Sequence, residues 1–144
     1  GFLPWLVGYL ALNAVMGLTL SIVFQLAHVV ENTEFEHVPL DETKHIELAW
    51  AEHQMKTTSN FAMGNKVISW FVGGLNFQVE HHLFPKVSHI HYPAISKILM
   101  QKCKEFNLPY NKYDTMSEAI ASHFRVMKYL GKKPIPALQE IKAA

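Results

Sequence analysis

Cysteine and arginine are almost missing from this chain: of 144 residues, only Cys103 and Arg125 are of these types. A lone cysteine excludes an internal disulfide and any cysteine-rich zinc ribbon. With lysine supplying the other positive charges, no set of guanidinium forks is available to read phosphates or bases, so nucleic acid is not an expected partner. Formal charge is absent altogether from Gly1 to Val30, and the net charge of +1 favours no class of partner. Internal repeats and low-complexity tracts are lacking too. An initiator methionine is also missing; the chain opens on Gly1 inside an apolar run and reads as a piece of something longer. Nine histidines stand against these shortages, so any bound metal is expected to have nitrogen ligands. The length allows one domain with a real core.

The uncharged run over residues 1–30 is long enough to cross a bilayer as a helix. It lacks the basic start and cleavage site of a secretory signal. A buried core helix in a soluble metal-binding helical domain is the alternative, and the length favours the span. Asn13, Gly17, Ser21, Gln25 and His28 follow one another at four, four, four and three residues, forming one polar or small stripe. Such a stripe packs on neighbouring helices in a membrane. His28 stands at its polar end, where a metal has access. Lys44 is the first cation and the others follow it, which places this end of the span in the cytoplasm.

Residues 31–45 form a polar connector broken by Pro39. Glu34-x-x-His37 and Glu42-x-x-His45 imitate the Glu-x-x-His element of ferritin-like di-iron bundles, but those elements must sit on separate facing helices. An amphipathic helix is predicted from Ile46 to about Asn60, with Ile46, Trp50, His53 and Thr57 on one face. Val67 to Phe77 is apolar, too short to span, and interrupted by Gly73-Gly74, which suits an interfacial or re-entrant element. Pro93 fits the first turn of a helix with the stripe Ile95, Ile98, Leu99, Cys103 and Phe106. Thr115-x-x-Glu118 is a capping box for a last helix carrying Ile120, Phe124, Met127 and Leu130 and stopped by Gly131. His123 and Cys103 read as structural, and the basic tail from Lys132 frays. The chain therefore divides into a membrane helix (1–30), a connector and histidine region (31–92), and C-terminal helices with a tail (93–144).

The chemistry concentrates in Gly73-Gly74-Leu75-Asn76-Phe77-Gln78-Val79-Glu80-His81-His82-Leu83-Phe84-Pro85. On a helix Gln78, His81 and His82 share one side within about one turn. Two imidazoles form an incomplete metal site, so further ligands are needed.

That string strongly resembles the membrane fatty acid desaturases. The resemblance also rests on Gln25-Leu26-Ala27-His28-Val29-Val30-Glu31, on Trp50, Thr57-Thr58 and Asn60-Phe61, and on His91-Tyr92-Pro93. It runs from about Val15 to Leu130, closest to the front-end branch acting on acyl-lipid or acyl-CoA, whose third histidine box begins with Gln. The resemblance implies a mainly α fold: a membrane-spanning helix followed by a cytosolic helical cap, as the C-terminal part of a multi-helix membrane desaturase. It implies that His28, His81 and His82 are iron ligands, with Gln78 a weak or water-mediated one, and that His53, Asn76 and His91 stand behind them and fix their tautomers. A di-iron centre with O2 as co-substrate would remove two hydrogens from a fatty acyl chain, leaving a cis double bond. Electrons would come from a cytochrome-type haem protein or a ferredoxin. Hydroxylation or conjugation on the same scaffold is the sister chemistry. The family's first two boxes, His-x-x-x-His and His-x-x-His-His, occur nowhere in the sequence. The iron site is therefore expected to be incomplete without a missing N-terminal half, and the chain alone to be an inactive membrane-associated piece.

Overall fold

The computed structural model describes residues 1–35 and 49–132. The second residues of both Glu-x-x-His decoys, His37 and His45, lie outside them, as do residues 46–48 of the predicted amphipathic helix. The described chain is mainly helical. Helix α1, Phe2–His28, has 27 residues and hence a length of about 40 Å. Only Val23, Leu26 and Ala27, near its C-terminal end, are buried within the molecule. Its most apolar 18-residue window has a mean hydropathy of 1.9, enough by length and composition to cross a membrane. Two polar side chains bond back within the helix: Asn13 Nδ2 donates to the Tyr9 carbonyl and Thr19 Oγ1 to the Val15 carbonyl, each at 2.8 Å. This arrangement lets an apolar surrounding tolerate them.

Helix α2, Trp50–Thr57, ends earlier than predicted because the next residues are extended. Asn60–Phe61 forms strand β1, which pairs in parallel with β2, Lys112–Tyr113, in the register Asn60 to Lys112 and Phe61 to Tyr113. This pair was not foreseen. Two-residue strands carry no periodicity, and this one exists because Asn60 and Phe61 are fully buried between distant segments. The Ser59 amide also donates to the Ala27 carbonyl at 2.8 Å, fastening the strand to the end of α1.

Helix α3, Lys66–Phe71, is capped by Asn65, whose side chain accepts from the Val67 and Ile68 amides. Its surface is apolar: Val67, Trp70 and Phe71 are all exposed. Gly73 and Gly74 then turn the chain with φ of +60° and +78°, a region that favours glycine. The predicted Val67–Phe77 element is thus a short helix followed by a turn. Helix α4, Gln78–Leu83, comes next, then a 3₁₀ turn at His89–His91 and helix α5, Tyr92–Glu105, with Pro93 in its first turn. Helix α6, Met116–Leu130, begins with both halves of the Thr115–Glu118 capping box made.

Two expected stripes face differently. On α5 the buried residues are Tyr92, Ser96 and Cys103, while Ile98 and Phe106 are exposed. On α6 the small residues Ala119 and Ser122, with Val126, face inward, and Phe124, Met127 and Leu130 face out. Close approach to the end of α1 and to β2 selects small side chains, overriding the apolar count. One core joins Val23 and Leu26 of α1 to Phe61, Val72 and Ala119; a second joins Met55, Val79 and Cys103 from α2, α4 and α5.

Candidate metal centre

His28 ends α1, and His81 and His82 lie in the last turn of α4. The fold brings these distant residues together. The His28 and His82 rings are 4.9 Å apart between centroids, and His81 and His82 are 5.9 Å apart, both edge to face. Each ring has an oxygen against its Nδ1. His28 Nδ1 donates to the Thr57 carbonyl at 3.3 Å. His82 Nδ1 donates to Gln54 Oε1 at 2.8 Å, and His81 Nδ1 shares a hydrogen bond with the Tyr92 hydroxyl at 3.2 Å. Opposite a pure acceptor Nδ1 must hold the proton, so in neutral His28 and His82 the lone pair is on Nε2. Burial, with the nearby His28 and His81, pulls the His82 pKa down to about 4, so this imidazole is neutral at pH 7.

Gln78 is fully buried, and its Nε2 has no hydrogen-bond partner among the described residues. Asn76 braces the glycine turn instead, with Nδ2 donating to Ser69 Oγ at 2.9 Å and to the Ala62 carbonyl at 3.3 Å. The His53 carbonyl accepts from Thr57 Oγ1 at 2.9 Å, and His91 is exposed in the 3₁₀ turn. Gln54 Oε1, the Thr57 carbonyl and the Tyr92 hydroxyl meet the Nδ1 atoms of the three rings. Thr57 acts through its backbone, which leaves no side-chain signal; Tyr92 lay within the His91-Tyr92-Pro93 string.

Helix α6 secures His28 from behind. Arg125 grips Glu31 with two bonds of 2.8 and 2.7 Å, and Ser122 Oγ accepts from the Glu31 amide at 2.9 Å. His123 Nδ1 donates to the Val29 carbonyl at 2.8 Å, which agrees with its structural reading. Beneath α4, Glu80 is completely buried and bonded to Asn60 and Tyr110. Burial raises its carboxyl pKa against the pull of these donors. Sequence reasoning passed over Glu80, seeing it only as a letter of the histidine string.

The donor set suits a metal that accepts neutral imidazole nitrogen, with outer oxygens setting the tautomers. Among the described residues, however, no group of three His, Cys, Asp or Glu side chains converges closely enough to hold an ion unaided. An apolar cleft of about 350 Å³ lies between α1 and α3, lined by Ile22, Val23, Ile68, Phe71 and Val72 among others.

The profile of the fatty acid desaturase family matches residues 1–114. The chain is 47% identical over 116 residues to the sn-1 linoleoyl-lipid 6-desaturase of Synechocystis sp., covering 81% of this chain and 32% of that protein. It is 43% identical over 142 residues to the sn-1 linoleoyl-lipid 6-desaturase of Arthrospira platensis, covering 92% and 38% respectively. The acyl-lipid (8-3)-desaturase of Physcomitrium patens is 42% identical over 127 residues, covering 85% and 25%. The chain thus spans between 25% and 38% of the length of these relatives. No solved structure matches it.

Proposed function

Because this chain belongs to the fatty acid desaturase family, we propose that it is the C-terminal part of a front-end acyl-lipid desaturase. In this reading α1 spans the membrane, its C-terminal end lies on the cytoplasmic side, and the remaining helices form a cytosolic cap. His28, His81 and His82 contribute to a di-iron centre whose other ligands come from the N-terminal boxes. The observation that carries the proposal is that His82 lies edge to face with both His28 and His81, each of the three with Nδ1 engaged by an oxygen.

Iron would supply, with O2 and electrons from a haem protein or ferredoxin, the oxidising power that an unactivated alkyl C–H bond demands. The chain's own residues prepare the ligands. Gln54 and the Thr57 carbonyl hold their imidazoles in the Nδ1–H tautomer, with the lone pair on Nε2, and burial keeps His82 neutral. Gln78 offers a buried amide where an imidazole would begin the box, consistent with a weak or water-mediated contact. The apolar cleft beside α3 supports access for acyl chains from the bilayer. The names of the relatives favour lipid-linked over CoA-linked substrates.

The test is a chimera in which this chain replaces the matching third of the Synechocystis enzyme, expressed in a host lacking that desaturase. Gas chromatography of the lipids should show a new cis double bond, lost in His28→Ala, His81→Ala and His82→Ala. Full activity in those variants would refute the ligand assignment, and oxygenated products would favour a hydroxylase. Tight binding of two irons to the 144-residue chain alone would contradict the reading in which it is an inactive membrane-associated piece.

A further inference from the structure

Behind the histidine pair sits a buried carboxylate that the proposed chemistry leaves unused. Glu80 has no solvent exposure, and an unpaired carboxyl there would be costly. Two donors meet it instead. The Tyr110 hydroxyl donates to Glu80 Oε1 at 2.6 Å, and Asn60 Nδ2 donates to Oε2 at 2.8 Å. Asn60 Oδ1 accepts from the Val79 amide at 2.9 Å, one of the first-turn amides a helix leaves without an internal partner. Helix α4 has no side-chain cap of its own, so Asn60 takes that place from another strand.

The geometry of α4 makes this clamp consequential. Six residues are too few for a helix to persist or aim itself without tertiary support. Successive side chains leave the axis about 100° apart, so holding Glu80 sets the directions of the next two residues. Those residues are His81 and His82. Asn60 is anchored in β1, and the adjacent Asn111 carbonyl accepts its amide at 2.9 Å, tying the strand to the segment that carries Tyr110.

We infer that Glu80, Asn60 and Tyr110 are positioning residues, a buried clamp that sets the roll of α4 and thereby the aim of His81 and His82. The consequence for metal binding rests on the desaturase reading; the effect on the imidazoles does not. A carboxylate is required because two donors converge on it. Glutamine would keep the shape but turn an NH2 group toward one of them.

The experiment has two arms. In the first, the full chain in detergent micelles is labelled with ¹⁵N, and histidine tautomers and amide exchange are read by NMR. The wild type should show the Nδ1–H tautomer for His82 and a protected Val79 amide. Tyr110→Phe and Glu80→Gln should mix the His82 tautomers and speed Val79 exchange at least about tenfold, while α6 amides stay protected. In the second arm, the same variants in the chimera are assayed for bound iron, with an expected loss of affinity of about tenfold or more. Unchanged tautomers and Val79 exchange in Tyr110→Phe would overturn the clamp, as would general loss of protection equal in α4 and α6. Should Glu80→Gln fail to fold, Tyr110→Phe, which removes only a hydroxyl, decides the matter. A wild-type chimera without iron would refute the desaturase reading and leave the first arm to judge the clamp.

Discussion

Adding a methyl group at Gly74 should damage the histidine region far more than adding one at Gly73, although the two are neighbours in the same turn. Both have positive φ, +60° at Gly73 and +78° at Gly74, so alanine at either meets the left-handed penalty of about 1–2 kcal/mol. Reduced freedom of the unfolded chain returns about 0.4–1 kcal/mol. Gly73→Ala should therefore cost about 1 kcal/mol, because no atom of the described residues lies within 4 Å of the new carbon. At Gly74 the same carbon would stand 2.7 Å from His89 Cβ, 3.1 Å from Cγ and 3.2 Å from Cδ2. Cβ is bound to the backbone and cannot swing aside, so an overpacking cost of about 1–3 kcal/mol is added. The expected total is about 2–4 kcal/mol. Denaturant titration of the full chain in micelles, followed by circular dichroism, measures both variants. In a double-mutant cycle, His89→Gly should recover most of the difference. Equal costs at the two glycines, or no coupling to His89, would refute the reasoning.

Other perturbations test separate parts of the structure. Gln54→Leu removes the acceptor of His82 Nδ1 and should weaken iron binding by the chimera about 10–100-fold, read from iron content after chelator challenge. Thr115→Ala breaks the capping box and should destabilise α6 by about 1 kcal/mol, visible as faster amide exchange in its first turn. The hydrogen bonds from Arg125 hold the Glu31 carboxyl below its ordinary pKa, so the folded state binds protons there less readily than the unfolded one. Its stabilising contribution is present above the ordinary carboxylate range and is lost as pH falls through the lowered value. Arg125→Gln should accordingly flatten the acid limb of the stability curve, measured by denaturation from pH 7 down to pH 3.

Residues whose meaning is local could be read directly. The uncharged run over 1–30 requires a long apolar helix, since a stretch of that length with no charge has few other stable forms. Thr115 and Glu118 announce a helix start because both partners of the box lie within one turn. The string from Gly73 to Pro85 carried the family, and with it the pairing of His28 with His81 and His82. The outward orientation of Phe124 and Met127 could not be read in this way, because burial on α6 depends on how closely α1 and β2 approach. Nor could the β1–β2 pair, whose two-residue strands leave no periodic trace.

The sequence by itself determined the long apolar helix α1, the capping box that starts α6 and the family, because each is written in neighbouring residues or in a contiguous motif. Tertiary structure alone decided what stands behind the three imidazoles. Gln54, the Thr57 carbonyl and Tyr92 meet the Nδ1 atoms of the three rings, and Glu80 is held by Asn60 and Tyr110 from 20 and 30 residues away. A hydrogen bond forms wherever a donor and an acceptor meet, whatever their separation along the chain. Backbone carbonyls and common polar side chains therefore acquire such roles only when packing brings them to the site.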